Sequence, residues 1–296
     1  MQIREALVQA VQTLSNQEVE SPGLDAELLL AHVLRVNRAS ILTWPERRLT
    51  PKQLTVFRDL VARRAAREPL AYIVGHREFF GLDFAVDSRV LIPRPETELL
   101  VERALQIARG IQPRPKIADV GAGSGAIAVS LAVHLPNAVV YALDTSAGAL
   151  AVVAGNAQRH GVADRVCCLK GDLLKPLPEV VDLIVANLPY VTTAEWEALP
   201  PEIRVYEPRP ALDGGADGLA FIRRLFEAAC SYMRPAGAIL VEIGAGQGEA
   251  VTALARETCP TAEVTLCQDY AGLDRLVVVR GQSAEGDQQI LPKPHL

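Results

Sequence analysis

Lys116-Ile117-Ala118-Asp119-Val120-Gly121-Ala122-Gly123-Ser124-Gly125 is the stretch on which the fold turns. Its first five residues read as a strand. The glycines at every second position after it let the backbone turn tightly and approach a ligand without a Cβ clash, and a helix opens behind them. Outward from this point, strand-like runs at 116–120, 139–144, 166–170, 180–186, 238–243, 264–268 and 276–280 are interleaved with helical patterns at 96–108, 125–135, 146–160, 218–233 and 247–257. That alternation predicts an α/β fold, a mainly parallel seven-stranded sheet with helices on both faces. Only the short loop Asp269-Tyr270-Ala271-Gly272 joins the last two strands. It is too short for a helical crossover, so these two strands run antiparallel.

The glycine turn is suited to a nucleoside cofactor. Asp144 ends the second strand, 23 residues beyond Gly121, where an acid accepts hydrogen bonds from both ribose hydroxyls. Asp172, after the third strand, is placed to meet an adenine amino group, and Leu173 to pack on the ring. Gly121-x-Gly123-x-x-Ala126 also fits the dinucleotide fingerprint, so NAD is an alternative on this signal alone. The final antiparallel pair instead resembles S-adenosylmethionine-dependent methyltransferases. The second cluster, Gly244-Ala245-Gly246-x-Gly248, reads as a plain turn into a helix.

Asn187-Leu188-Pro189-Tyr190 follows the apolar run 180–186, which reads as buried. At the carboxyl end of such a strand the loop can hold a planar NH2 group by its two hydrogens. The Asn187 side-chain oxygen and the Leu188 carbonyl each accept one N–H, Tyr190 stacks on the plane, and Pro189 stiffens the loop. Holding both hydrogens aligns the nitrogen with a methyl sulfonium and favours its pyramidalisation. A plain turn is the bland alternative.

The 296 residues suffice for two domains, 49% hydrophobic and 22% charged with a net charge of −5. That balance argues against phosphate contacts as the main source of affinity. Residues 1–74 read as a helical domain, 75–95 as a β-hairpin linker with strands at 78–86 and 90–93 around a turn at Asp87-Ser88, 96–281 as the α/β domain, and 282–296 as a disordered polar tail. Thr50-Pro51 is an N-cap followed by proline at the first helical position. Arg63, Arg64 and Arg67 form a charged helix face, expected to be solvated or, alternatively, to bind a partner. The five cysteines, Cys167, Cys168, Cys230, Cys259 and Cys267, have no CxxC spacing and an odd count, which argues against disulfides and zinc. Cys167 and Cys168 read as small buried hydrophobes. The five histidines are scattered, and no metal site is expected. The opening Met1-Gln2-Ile3-Arg4-Glu5 begins an amphipathic helix rather than a signal peptide, and no apolar run is long enough to span a bilayer. The expectation is a cytoplasmic protein, monomeric by default, with no membrane and no stable nucleic-acid partner.

Several further stretches carry a resemblance: Asp25-Ala26-Glu27-Leu28-Leu29-Leu30, Glu68-Pro69-Leu70-Ala71-Tyr72-Ile73-Val74-Gly75, Glu78-Phe79-Phe80-Gly81, Leu91-Ile92-Pro93-Arg94-Pro95-Glu96-Thr97-Glu98, Glu207-Pro208-Arg209-Pro210-Ala211-Leu212-Asp213-Gly214-Gly215 and Asp269-Tyr270-Ala271-Gly272-Leu273-Asp274-Arg275. With the glycine turn and the tetrapeptide, the chain resembles the protein-(glutamine-N5) methyltransferases of the HemK/PrmC type over nearly its whole length. The resemblance implies S-adenosylmethionine, held by Gly121, Ala122, Gly123, Ser124, Gly125, Asp144 and Asn187. It implies as substrate the glutamine of the Gly-Gly-Gln loop of class I peptide chain release factors, held by Asn187 to Tyr190, with the helical domain helping to grip the protein. In the family the tetrapeptide is Asn-Pro-Pro-Tyr. Leu188 departs from it but supplies the same backbone carbonyl, at a cost in loop rigidity on the order of 1 kcal/mol or less. Leu173 stands where some relatives carry an aromatic residue. N6-adenine or other amino methylation of nucleic acid, which uses the same tetrapeptide, and a non-catalytic binding module are the alternatives. The net negative charge weighs against the first, and the intact glycine turn with Asp144 and Asn187 against the second.

Overall fold

Strand and helix alternate along the chain as their patterns require. In the computed structural model, which describes residues 1–111 and 113–281, the order is α1 (Ile3–Ser15), α2 (Pro22–Leu34), α3 (Arg38–Thr43), α4 (Pro51–Ala65), α5 (Leu70–Val74), β1 (His76–Phe79), β2 (Leu82–Ala85), α6 (Glu98–Ala108), β3 (Lys116–Val120), α7 (Ala126–His134), β4 (Val139–Asp144), α8 (Ala147–Arg159), β5 (Val166–Lys170), β6 (Val181–Ala186), α9 (Thr193–Ala198), α10 (Pro201–Tyr206), α11 (Ala220–Tyr232), β7 (Met233–Glu242), α12 (Gly248–Thr258), β8 (Glu263–Gln268) and β9 (Asp274–Arg280). The tail expected at 282–296 lies outside the described residues. The chain divides into two compact units. Among the described residues, one comprises 1–77, 85–92 and 198–208, and the other 78–84, 93–197 and 209–281.

In the first unit, Ile3, Ala6, Ala10 and Leu14 of α1 meet Leu29 and Leu30 of α2 and Phe57 and Val61 of α4 in an apolar core. Thr50 caps α4 by accepting from the Gln53 backbone, and Gln53 returns the bond. The arginine face of α4 is not simply solvated. Arg64 is buried, its Nε 2.7 Å from Asp25 Oδ2 and its Nη1 3.2 Å from Glu202 Oε1. Arg67 grips the same Glu202 with two nitrogens, and Arg63 pairs with Glu68. These side chains fasten 198–208 to the helices, a role that periodicity cannot show because the partners are 135 and 138 residues away.

The hairpin also departs from expectation. Its strands are β1 and β2, and its turn is Phe80-Gly81, both at positive φ (52° and 72°), the combination a two-residue hairpin turn requires. Residues 90–93 form no strand. Their alternation reflects burial of coil, whose backbone is held by side chains: Tyr72 Oη donates to the Val90 carbonyl at 2.6 Å, and Ile92 N–H donates to Glu207 Oε2 at 3.0 Å.

The second unit is a seven-stranded sheet in the order β5-β4-β3-β6-β7-β9-β8. Pairings are parallel from β5 to β7, and β9 runs antiparallel to both β7 and β8. Every residue of β6 is buried, because both faces of the sheet are covered. Ile117, Leu183, Val185 and Leu240 pack with α6, α7 and α8. Ala118, Val120, Ile184, Ile239 and Val241 pack with α11 and α12. β6 begins at Val181, and Val180 is left exposed. Cys167 and Cys168 lie on the edge strand β5 and are exposed rather than buried. Cys230 and Cys259 form a disulfide between the ends of α11 and α12, contrary to the expectation from cysteine count.

Candidate active site

Register puts the candidate residues side by side. Val120 of β3 is level with Leu143 of β4 and Ala186 of β6, and Ala186 is level with Val241 of β7. The next residue on each strand is therefore Gly121, Asp144, Asn187 and Glu242, all at the carboxyl edge of the sheet, where open α/β sheets bind ligands.

Gly121, Gly123 and Gly125 have φ of +79°, +54° and +80°, a region other residues rarely adopt. A Cβ on Gly125 would lie 3.1 Å from Val153 Cγ1, and one on Gly121 would lie 3.2 Å from Leu188 Cδ2. The first contact brings α7 against α8; the second brings the glycine turn against the tetrapeptide. Ala122 and Ser124 point into the protein and are buried. Asp144 Oδ2 accepts from Gly123 N–H at 3.0 Å and Oδ1 from Ser146 N–H at 2.8 Å, leaving lone pairs on both oxygens for a diol. Behind the turn, Asp119 is fully buried. Its Oδ2 accepts from Ala128 N–H, while its Oδ1 has no partner among the described residues. Burial, with the nearby Asp144 charge adding to it, pushes its carboxyl up to about 7. The glycine cradle and the open lone pairs of Asp144 fit a nucleoside with a ribose diol.

Asp172 and Leu173 follow the edge strand β5. Asp172 Oδ2 receives Lys175 Nζ at 2.8 Å and Arg224 Nη2 at 2.6 Å, and these cations hold its carboxyl below the usual range. Leu173 is at φ 50° and packs against the α11–α12 side of the core.

Asn187 and Tyr190 are held by residues to which the sequence motifs assign no role. Asn187 Nδ2 donates to Thr97 Oγ1 at 3.0 Å. The nitrogen end of the carboxamide is thereby occupied, and Oδ1 is turned away from Thr97. Tyr190 Oη donates to Glu242 Oε1 at 3.3 Å. Burial and then the Glu242 charge raise the phenol above its ordinary value. Leu188 is buried. The loop is clasped from outside as well. Gln247 Nε2 donates to the Tyr190 carbonyl at 2.9 Å while Gln247 Oε1 accepts from Gly244 N–H. A Cβ on Gly214 or Gly218 would sit 2.5 Å from the Pro189 carbonyl or 2.2 Å from that of Tyr190. Val191 pairs with Asp213, which Arg209 holds through two nitrogens while stacking 4.1 Å over Trp196. The second glycine cluster is thus a turn into α12 that also supports the tetrapeptide. Thr97 and Gly214 lay within quoted motifs without an assigned role; Glu242 carried no signal beyond its place at a strand end. Among the described residues no group of His, Cys, Asp or Glu is arranged to hold a metal ion, and no helix is long and apolar enough to cross a membrane.

Residues 5–75 match the PrmC N-terminal domain, and residues 95–199 match the methyltransferase small domain. The release factor glutamine methyltransferase of Geobacter sulfurreducens is 46% identical over 89% of this chain and 91% of its own. That of Moorella thermoacetica is 46% identical over 93% of this chain and 97% of its own. A methyltransferase from Pyrococcus furiosus, 17% identical, superposes with a TM-score of 0.52 over 75% of this chain and 98% of that chain. The fold is that of a class I methyltransferase. Within that class, the chain belongs to the release factor glutamine methyltransferase family.

Proposed function

We propose that this enzyme transfers a methyl group from S-adenosylmethionine to the side-chain amide nitrogen of the glutamine in the Gly-Gly-Gln loop of class I peptide chain release factors. The observation that carries the reading is the Asn187 Nδ2 bond to Thr97. It leaves Oδ1 as an acceptor, at the end of the strand that adjoins the glycine turn. In this reading the turn from Gly121 to Gly125 cradles the cofactor and Asp144 binds its ribose. Asp172 and Leu173 border the adenine, Asp172 as a carboxylate already shared with Lys175 and Arg224.

Asn187 Oδ1 and the Leu188 carbonyl each accept one hydrogen of the glutamine NH2. An amide nitrogen is weakly nucleophilic because its lone pair is delocalised. Fixing both hydrogens orients that lone pair and stabilises the positive charge that develops on nitrogen. Tyr190, its hydroxyl tied to Glu242, offers its ring to the amide plane. S-adenosylmethionine held by Gly121 to Gly125 and Asp144 would supply an electrophilic methyl for this nitrogen and would leave as the neutral thioether, so that the methyl–sulfur bond is exchanged for the methyl–nitrogen bond. The methylated nitrogen is acidic and releases one proton to water, so no strong base is needed. Leu188 contributes its carbonyl to the acceptor and its side chain to the contact with Gly121, which is how a leucine serves where relatives carry proline.

The test is incubation with labelled S-adenosylmethionine and, separately, a class I release factor, its Gln→Ala loop variant, and DNA or RNA. Label on the intact release factor alone is expected; label on nucleic acid alone would refute the proposal.

A further inference from the structure

Glu242 ends β7 with 1% of its surface exposed, and the chemistry above uses it only to tie the Tyr190 hydroxyl. It nonetheless lies beside the acceptor loop, one residue past the Ala186–Val241 pairing. Tyr190 Oη donates to its Oε1, and the Thr97 hydroxyl, which receives Asn187 Nδ2–H, is close enough to favour its charged form. Its Oε2 has no close hydrogen-bond partner among the described residues. We propose that Glu242 is a positioning residue for the acceptor clamp: acting through Thr97, it fixes which end of the Asn187 carboxamide faces the substrate, and through Tyr190 Oη it fixes the ring. The inference rests on the reading of Asn187 as the amide acceptor.

Hydrogen-bond polarity decides the orientation. The two ends of a carboxamide have nearly the same shape, so only the partner decides their order. Thr97 has one hydroxyl hydrogen. A carboxylate accepts and never donates, and in the proposed relay the Thr97 hydrogen turns to the Glu242 carboxylate, whose Oε2 is otherwise without a partner among the described residues. Only lone pairs then remain for Asn187, which must present NH2 to Thr97 and Oδ1 to the opposite side. A group at 242 with a donor of its own, either a protonated carboxyl or an amide, releases the Thr97 hydrogen toward Asn187. The inverted carboxamide, with NH2 facing the substrate nitrogen, then becomes equally acceptable and binds no N–H donor. Burial raises the Glu242 carboxyl to about 7; Thr97, Arg275 of β9 and the Tyr190 hydroxyl oppose that rise, while Glu96 adds to it. Arg94 and Arg275 also act on Tyr190. The charge that sets the relay is therefore lost as pH falls through about 7.

The experiment is steady-state kinetics from pH 5.5 to 9 with labelled S-adenosylmethionine and a full-length class I release factor, for wild type, Glu242→Gln, Thr97→Val, Thr97→Ser and Asn187→Ala, with cofactor affinity by calorimetry and thermal unfolding alongside. Glu242→Gln and Thr97→Val are expected to lower kcat on the order of 10- to 100-fold, with cofactor affinity within about twofold, and Glu242→Gln to lose the acid limb near pH 7. Thr97→Ser keeps the hydroxyl and is expected to restore near wild-type turnover; should Glu242→Gln fail to fold, the Thr97 pair decides. Wild-type kcat and an unchanged acid limb in Glu242→Gln and Thr97→Val, with Asn187→Ala inactive, would overturn the relay and leave the clamp standing. Full turnover in Asn187→Ala would overturn the clamp itself.

Discussion

Gly218→Ala places a methyl group where the protein has no room. Gly218 has φ +73°, and a Cβ there would lie 2.2 Å from the Tyr190 carbonyl oxygen and 2.6 Å from Gln247 Nε2. Neither neighbour is a loose side-chain end: one is backbone of the acceptor loop, the other the amide that donates to it. A left-handed conformation costs a non-glycine residue roughly 1–2 kcal/mol, and losing the Gln247 bond costs about 1 kcal/mol more. The combined penalty is roughly 2–3 kcal/mol. The structure relieves it by pushing Tyr190 outward, so a share appears as lost transition-state alignment. Half of it corresponds to about a tenfold fall in kcat. The proposed cofactor cradle, after β3 and at the end of β4, is untouched. Urea unfolding, calorimetric titration with S-adenosylmethionine and methylation kinetics together resolve these effects. The expected result is reduced stability and kcat with unchanged cofactor affinity. Gly23→Ala is the matched control: it lies in α2 at negative φ with nothing within 4 Å of the added Cβ, and it is expected to be neutral or slightly stabilising. A Gly218→Ala enzyme as stable and active as Gly23→Ala would refute the claim that this glycine sets the position of the acceptor loop.

Arg64→Ala leaves Asp25 buried without its partner and is expected to destabilise the first unit by about 3–5 kcal/mol, read by denaturant unfolding; a change under 1 kcal/mol would contradict the role given to the ion network. The Asp119 carboxyl rises from 3.8 unfolded to about 7 folded, so the native state keeps a proton the unfolded chain releases, and this contribution to stability is lost as pH rises from about 4 to about 7. Asp119→Asn keeps the acceptor for Ala128 and is expected to gain stability relative to wild type across that window; a constant difference from pH 4 to pH 8 would show that the acid is not buried as described. Leu188→Ala is expected to cost about 2 kcal/mol or more in stability by opening a cavity against Gly121, while methylation persists because the carbonyl remains; loss as deep as that of Asn187→Ala would put the side chain, not the backbone, in the acceptor.

The sheet was legible because its strands are short apolar runs bounded by glycine and polar residues, and because the loop after Gln268 is too short for a crossover. The edge position of β5, which exposes Cys167 and Cys168, follows from strand order and is not written in a local run. The hairpin turn was misplaced at Asp87-Ser88, since Asp is common in turns, whereas Phe80-Gly81 carries the positive φ with a phenylalanine that composition gives no reason to expect there. Residues given a direct part in the proposed reaction, such as Asn187 and Asp144, stand in motifs that a local reading can pick out. Those that act through another residue cannot be picked out this way: Thr97 meets Asn187 across 90 positions, and Gln247 reaches Tyr190 across 57. The Cys230–Cys259 pair has the same origin, because it depends on how α11 and α12 lie together.

The most direct test of the account is tandem mass spectrometry of a class I release factor after single-turnover reaction with wild type and with Asn187→Ala, each saturated with S-adenosylmethionine. One methyl group is expected on the glutamine of the Gly-Gly-Gln loop with wild type, formed on the order of 100-fold or more slowly by Asn187→Ala at unchanged thermal stability. Methylation of that glutamine at the wild-type rate by Asn187→Ala, or a methyl group on any other residue, would contradict it.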